Sequence, residues 1–285
     1  MSFDPETFQA ESREHWERSA PGWGAQSDQM SRQTEAVTRW LLDALELAPG
    51  RTVLELAGGP GDVGLAAAER VRPGGRVIIT DGSERMAELA GERARARGLD
   101  DVVEVRPMDA ERSFDLDAAS VDAVVCRWGF MLMADPGTAL REARRVLRSG
   151  GRLALAAWAA MERNPWIGVP GGEIAARRLA ERPAPGTPGP MAWAAEGRIA
   201  SELEDAGFTE IRVEVVEFAF RYPSLDDWWD AQLDLSTNLR ETVARLDPAG
   251  RDELREAIDA RLAEHVADDG SVALPAATQV AAAEA

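Results

Sequence analysis

Val53-Leu54-Glu55-Leu56-Ala57-Gly58-Gly59-Pro60-Gly61 is an apolar run that carries one acid and breaks into a glycine-rich turn. Its first residues, with Arg51 and Thr52, predict a short strand over Arg51–Ala57. Gly58–Gly61 predicts a tight turn, and Asp62–Val71 takes up helical periodicity directly after it. A strand that turns through glycines into a helix lets the backbone approach a ligand closely. It also aims the free N–H groups of the helix start at that ligand.

Working outward, the same alternation repeats. Strands are predicted at Arg76–Thr80, Val102–Arg106, Val121–Cys126 and Arg152–Trp158. Helices are predicted between them at 83–97 and 136–147. This rhythm predicts an α/β fold with a doubly wound parallel sheet and right-handed crossovers. Upstream, residues 1–30 predict a helix broken at Pro21–Gly22, and 31–47 an amphipathic helix carrying Val37, Trp40, Leu41, Ala44 and Leu45. Downstream, Arg182–Pro190 (RPAPGTPGP) marks an inserted cover with one helix near 171–181. A helix at 196–206 and a strand at 211–220 follow, then helices near 225–245 and 249–266 and a last strand near 271–282. The expected organisation is a helical cap (1–48), a ligand-binding core (49–158), an inserted lid (159–196) and a remainder of the same α/β domain (197–285). That remainder carries a helical insertion at about 225–266.

Composition bounds the function. The chain has 285 residues, 45% of them hydrophobic, enough for a large buried core. Its 50 acids outweigh 32 basic residues, all arginine, for a net charge of −18. Such a surface repels phosphate backbones, so no nucleic-acid partner is expected. The longest apolar run, near Leu153–Met161, is far short of the roughly 20 residues of a membrane span. The acidic, polar start is unlike a signal or transit peptide. One cysteine, Cys126, rules out an internal disulfide and a cysteine-based zinc site. A cytoplasmic protein without a membrane partner is expected.

Ligands of open parallel sheets bind at the carboxyl ends of the strands. The residues there are Glu55 with Ala57–Gly61, Asp81, Asp109, and Arg127 with Trp128. A carboxylate at one strand end suits a ribose diol, and a second suits an exocyclic amine. Two cofactors compete for that set. Gly59-x-Gly61-x-x-Gly64, with Asp81 beyond it, matches the dinucleotide fingerprint. Against a nicotinamide oxidoreductase stand Glu55, an acid where a pyrophosphate would sit, and the lack of a second half of the right length.

The ordered set of motifs resembles the class I S-adenosylmethionine-dependent methyltransferases, in the small-molecule branch that includes quinone-biosynthesis enzymes. VLELAGGPG (Val53–Gly61), IITDGSERM (Ile78–Met86), MDAE (Met108–Glu111), VDAVVCRWGFMLM (Val121–Met133) and ALREARRVLRSGGRLALAAW (Ala139–Trp158) carry the likeness. It is looser over 196–220 and 271–282. The resemblance implies a Rossmann-like, seven-stranded, mostly parallel sheet with an added helical cover. It also implies S-adenosyl-L-methionine as cofactor, with S-adenosyl-L-homocysteine as product.

By that resemblance the backbone of Ala57, Gly58, Gly59 and Gly61 cradles the methionine part, and Glu55 supports its ammonium. Asp81 binds the ribose hydroxyls, while Gly82, Ser83 and Met86 line the adenosine site. Asp109 and the Ala110 N–H meet the adenine. Cys126 and Arg127 offer backbone near the methionine part, and Trp128 walls the methyl. Trp16, Trp23, Phe130, Met131 and Trp166 are candidates for the acceptor pocket. The chain departs from the family where Glu55 stands for an aspartate and Ala57 for a glycine.

The acceptor is expected to be a small, partly apolar molecule under a cover. No catalytic base and no metal is assigned, and a homodimer is an open assembly state. A methyltransferase fold that binds cofactor without transfer, as a binding module or cyclase, is the alternative. Plainer readings stand beside these. Glu55 equally suits a cap on the neighbouring helix, and Cys126 a packed thiol. His15 suits a surface position, His265 lies on the Leu254, Ile258, Leu262 stripe, and Asn164–Pro165–Trp166 reads as a loop anchor.

Overall fold

The apolar, β-branched runs of the first half line up as neighbours, and the segments between them coil onto both faces. The structure is a computed structural model and describes residues 4–180 and 186–285. In chain order the elements are α1 (Pro5–Gln33), α2 (Glu35–Ala44), β1 (Thr52–Glu55), α3 (Asp62–Val71), β2 (Arg76–Asp81) and α4 (Glu84–Ala96). Next come β3 (Val103–Pro107), β4 (Val121–Arg127), α5 (Pro136–Val146), β5 (Leu147–Trp158), α6 (Pro165–Ala176) and α7 (Arg198–Asp205). The rest are β6 (Thr209–Tyr222), α8 (Leu225–Leu235), α9 (Thr237–Arg245), α10 (Pro248–Leu262) and β7 (Val272–Glu284).

The seven strands form one sheet in the order β3-β2-β1-β4-β5-β7-β6. The first five pair in parallel. β7 enters between β5 and β6 and runs antiparallel to both. The sheet is therefore Rossmann-like and mostly parallel, with one reversed strand. Val53, Leu54, Val77, Ile78, Ile79, Val124 and Val125 are all at most 1% exposed, as a strand covered by helices on both faces requires.

Several boundaries differ from the sequence reading, each for a local reason. α1 is continuous through Pro21 rather than broken there. Packing on α8 holds it together: a Cβ on Gly22 would overlap the Asp234 carbonyl, Trp23 Nε1 donates to the Leu235 carbonyl at 3.2 Å, and Gln26 Nε2 donates to Asp234 at 2.8 Å. The helix read over 31–47 begins instead at Glu35, because Thr34 interrupts the run and turns its hydroxyl back to the Met30 carbonyl at 2.7 Å. The helix read over 225–245 is two, since Ser236 leaves helical geometry and caps α9 at the Leu239 N–H. The lid helix lies at 165–176, started by Pro165, and not near 171–181. Residues 182–185 of the Pro/Gly-rich run, and residue 181, lie outside the described residues. α10 ends at Leu262, so His265 sits in a half-buried 3-10 turn past the Leu254, Ile258, Leu262 stripe.

Candidate functional site

The glycine loop is held from below by the sheet. The Leu56 N–H reaches the Val125 carbonyl at 2.9 Å and the Gly58 N–H the Thr80 carbonyl at 2.8 Å. Gly59 and Gly61 take positive φ angles, +54° and +80°, which only glycine adopts without strain. Ala57 takes +50° as well, although it carries a methyl. The loop and β2 meet at one carboxylate: Asp81 accepts the Gly59 N–H at 2.8 Å on one oxygen and the Ser83 N–H at 2.9 Å on the other. Burial raises its pKa, against the pull of those two N–H groups. Ser83 in turn caps α4 at the Met86 N–H, 3.1 Å away, and both residues are buried.

Glu55 closes the floor. It is 2% exposed and accepts the Gly64 N–H at 2.8 Å, so it caps the first turn of α3. Burial pushes its pKa up to about 8, outweighing the nearby Arg127 and the Gly64 N–H. At the end of β3, Asp109 accepts the Glu111 N–H at 3.0 Å. Its other oxygen meets Arg13 of α1 at 3.0 Å and Arg112 at 3.1 Å. Ala110 beside it is buried.

A cleft of about 260 Å³ opens here, between Gly82, Met108 and Asp109 on the strand-end loops and Arg13 and Glu17 on α1. Glu17 also accepts the Glu84 N–H at 2.7 Å, capping α4 from another helix.

Beyond β4 the chain is strained. Trp128 has φ +63°, a conformation that bulky residues rarely hold. Four contacts fix it: its N–H to the Ala156 carbonyl at 2.9 Å, its indole N–H to Thr278 at 2.9 Å, a stack on Trp158 at 4.2 Å, and the Arg127 guanidinium 4.8 Å from its ring. Cys126 is fully buried, and burial pushes its thiol up to about 12, which leaves it a packed group.

The acceptor-pocket candidates fall into three places. Trp16 meets Trp23 edge-on at 6.0 Å, and Trp23 is tied to α8. Phe130 stacks on Trp193 at 5.8 Å, and the Met131 carbonyl accepts the Gly189 N–H. Trp166 packs on Trp158 at 4.8 Å, so it reaches Trp128 through one intervening ring.

Sequence reasoning missed the ion chain beneath the loop. Asp62 accepts Arg93 at 2.6 Å and Arg127 at 2.9 Å, with side chains 3%, 14% and 9% exposed. Arg127 continues to Thr34 and Thr38, and Arg93 to the Pro60 carbonyl. The available signal was an acid opening the helix straight after the glycine loop. Nothing in the sequence pointed to Thr278.

Residues 54–155 match the family model described as a methyltransferase domain. A demethylmenaquinone methyltransferase of Thermus thermophilus is 42% identical over 111 residues, 39% of this chain and 48% of the relative. A ubiquinone/menaquinone biosynthesis C-methyltransferase of Bordetella parapertussis is 34% identical over 148 residues, 47% of this chain and 56% of the relative. The matched stretch spans about half the length of these curated relatives. Among solved structures, a geranyl diphosphate methyltransferase superposes with a TM-score of 0.53 at 20% identity, covering 93% of this chain and 91% of that one. The cyclase SpnF superposes at 0.55 and 18% identity, over 87% and 80%.

The fold is that of the solved methyltransferase structures it superposes on. Over residues 54–155 this chain matches a methyltransferase domain, and within that stretch it is similar to quinone-biosynthesis methyltransferases.

Proposed function

We propose that the protein binds S-adenosyl-L-methionine at the carboxyl edge of the sheet. It transfers the methyl to a small, partly apolar acceptor by direct displacement and releases S-adenosyl-L-homocysteine. The observation that carries this reading is the junction of Gly59 and Asp81, a glycine loop bonded to the strand-two carboxylate, next to Gly82, which lines the cleft. The fit is supported by Gly59 and Gly82, where a Cβ would meet nothing within 4 Å, leaving the backbone open to a ligand.

In this reading Asp81 accepts the ribose hydroxyls, and Gly82, Ser83 and Met86 line the nucleoside. Asp109 and Ala110 meet the base. Ala57, Gly58, Gly59 and Gly61 cradle the amino-acid end, with the backbone of Cys126 and Arg127 beside it. Glu55, once ionised, balances the ammonium. When bound, the cofactor supplies a methyl already activated by its sulfonium. The residues of this chain therefore have to orient and enclose. Trp128, fixed by its four contacts, is a rigid wall, and rigid positioning supplies several orders of magnitude of rate.

The aromatic cluster behind it, together with α1 and α8–α10, suits an enclosed acceptor with apolar surface. The excess of acids supports a small molecule over a polyanion, and a lone buried thiol supports a cytoplasmic setting. No helix among the described residues is long and apolar enough to cross a membrane.

The test is calorimetric titration with S-adenosyl-L-homocysteine, with NAD as control. Micromolar binding of the first alone is expected. Binding of NAD alone would replace this reading with an oxidoreductase.

A further inference from the structure

β6 is the last strand of the sheet order, so one of its sides has no strand partner among the described residues. Folded proteins commonly blunt such an edge with proline, lysine or a short strand. β6, a strand of 14 residues, begins with a bulge between Thr209 and Arg212, and the regular stretch beyond it, Arg212-Val213-Glu214-Val215-Val216-Glu217, holds no proline or lysine. Two of its side chains are among the few large apolar groups left exposed, Val213 at 39% and Val215 at 45%. Alternation puts both on one face. Arg212 and Glu214 lie on the other, where Arg212 covers the Trp40 ring at 5.0 Å and Glu214 accepts the Trp40 indole N–H at 3.0 Å. Both keep about half of their side-chain surface in solvent, 57% and 47%. Further along, Gln33 already engages the Arg221 N–H, so the open part of the edge lies before it.

We propose that this edge pairs with a second copy of the chain, β6 antiparallel to β6, on a two-fold axis through Val213. The register follows from charge. A two-fold across an antiparallel pair sets each residue opposite one of the same face. Centred on Arg212, the pair would set Arg212 against itself. Centred on Glu214, it would set that acid against itself. Centred on Val215, it would set Val213 against Glu217 and give neither Arg212 nor Glu214 an opposite charge. Centred on Val213, Arg212 faces Glu214 twice and Val213 faces Val213. Opposite charges and β-branched pairs across strands stabilise, and like charges destabilise. Within the regular stretch beyond the bulge, Arg212 to Glu217, this is the register that sets Arg212 opposite Glu214, and it also offsets the repulsion between two acidic molecules.

The test uses the full chain in analytical ultracentrifugation and by oxidative crosslinking. The wild type is expected to sediment as a dimer. Arg212→Glu and Glu214→Arg should each weaken dimerisation about tenfold or more, and the double variant should restore it. Val213→Cys should crosslink to its own copy, because residues directly opposite lie within disulfide reach. Val215→Cys should not, because its copy lies about 13 Å along the strand. A wild type that is monomeric at high concentration overturns the proposal. So does a dimer insensitive to both charge reversals, or crosslinking of both cysteine variants or of neither. Circular dichroism of each variant separates loss of pairing from loss of fold.

Discussion

At Ala57 a single methyl sits where the backbone turns left-handed, at φ +50°. That conformation costs a non-glycine residue about 1–2 kcal/mol, part of which glycine gives back as chain entropy. Ala57→Gly is therefore expected to leave stability unchanged or raise it by up to about 1 kcal/mol, read as a shift in the thermal midpoint. Loss of stability would mean that the methyl packs more than it strains. Asp81→Ala is expected to weaken S-adenosyl-L-homocysteine binding by about 1–3 kcal/mol, the scale of charge-assisted hydrogen bonds. Unchanged affinity in the titration would remove Asp81 from the ligand.

Glu55 makes a prediction about pH. Its pKa is raised by burial from 4.5 to about 8, so the folded state holds a proton that the unfolded state has released. Its contribution to stability is complete below the ordinary value and is lost as the pH climbs toward about 8. The ligand-free protein should therefore melt at progressively lower temperature across that window. Glu55→Gln, which keeps an oxygen for the Gly64 N–H, should flatten the decline. Asp122 and Glu142, whose pKa values are lowered mainly by hydrogen bonds and arginine partners despite the cost of burial, act with the opposite sign and below that window.

Among the elements, the junction of β5, α6 and β7 hangs on one side chain. Asn164 is fully buried and donates to the Ala159, Ala160 and Ala277 carbonyls while accepting the Ala277 and Trp166 N–H groups. Asn164→Ala strips partners from several buried groups at once and is expected to cost about 3 kcal/mol by denaturant unfolding. An effect below about 1 kcal/mol would show that the junction relaxes without it. The sequence reads Asn164–Pro165–Trp166 as a loop anchor, and the buried Asn164 makes that role concrete. The parallel half of the sheet was equally legible, since apolar runs such as Val77–Ile79 and Val124–Val125 alternate with helices at regular spacing. What escaped it was set by distant contacts. α1 crosses Pro21 because α8 lies against Gly22, Arg13 pairs with Asp109 across 96 positions, and Trp128 is held by Thr278 across 150. No local pattern encodes such partners.

On the scale of the molecule, the net charge of −18 is spread over a surface whose exposed ion pairs are each worth little. Screening should relieve the excess repulsion more than it weakens those pairs. The thermal midpoint is expected to rise between about 10 and 200 mM salt. A fall would mean that the arginine pairs outweigh the acid excess.

The reversed strand has a consequence for how the molecule is made. β7 is threaded between β5 and β6, although β6 is synthesised some 50 residues earlier. On the ribosome, β6 therefore emerges with neither edge occupied and stays so until residues 272–284 clear the exit tunnel. During that interval Val213 and Val215 belong to a nascent hairpin partner awaiting its other half. This is the moment at which a chaperone, or a neighbouring unfinished chain, has access to the strand.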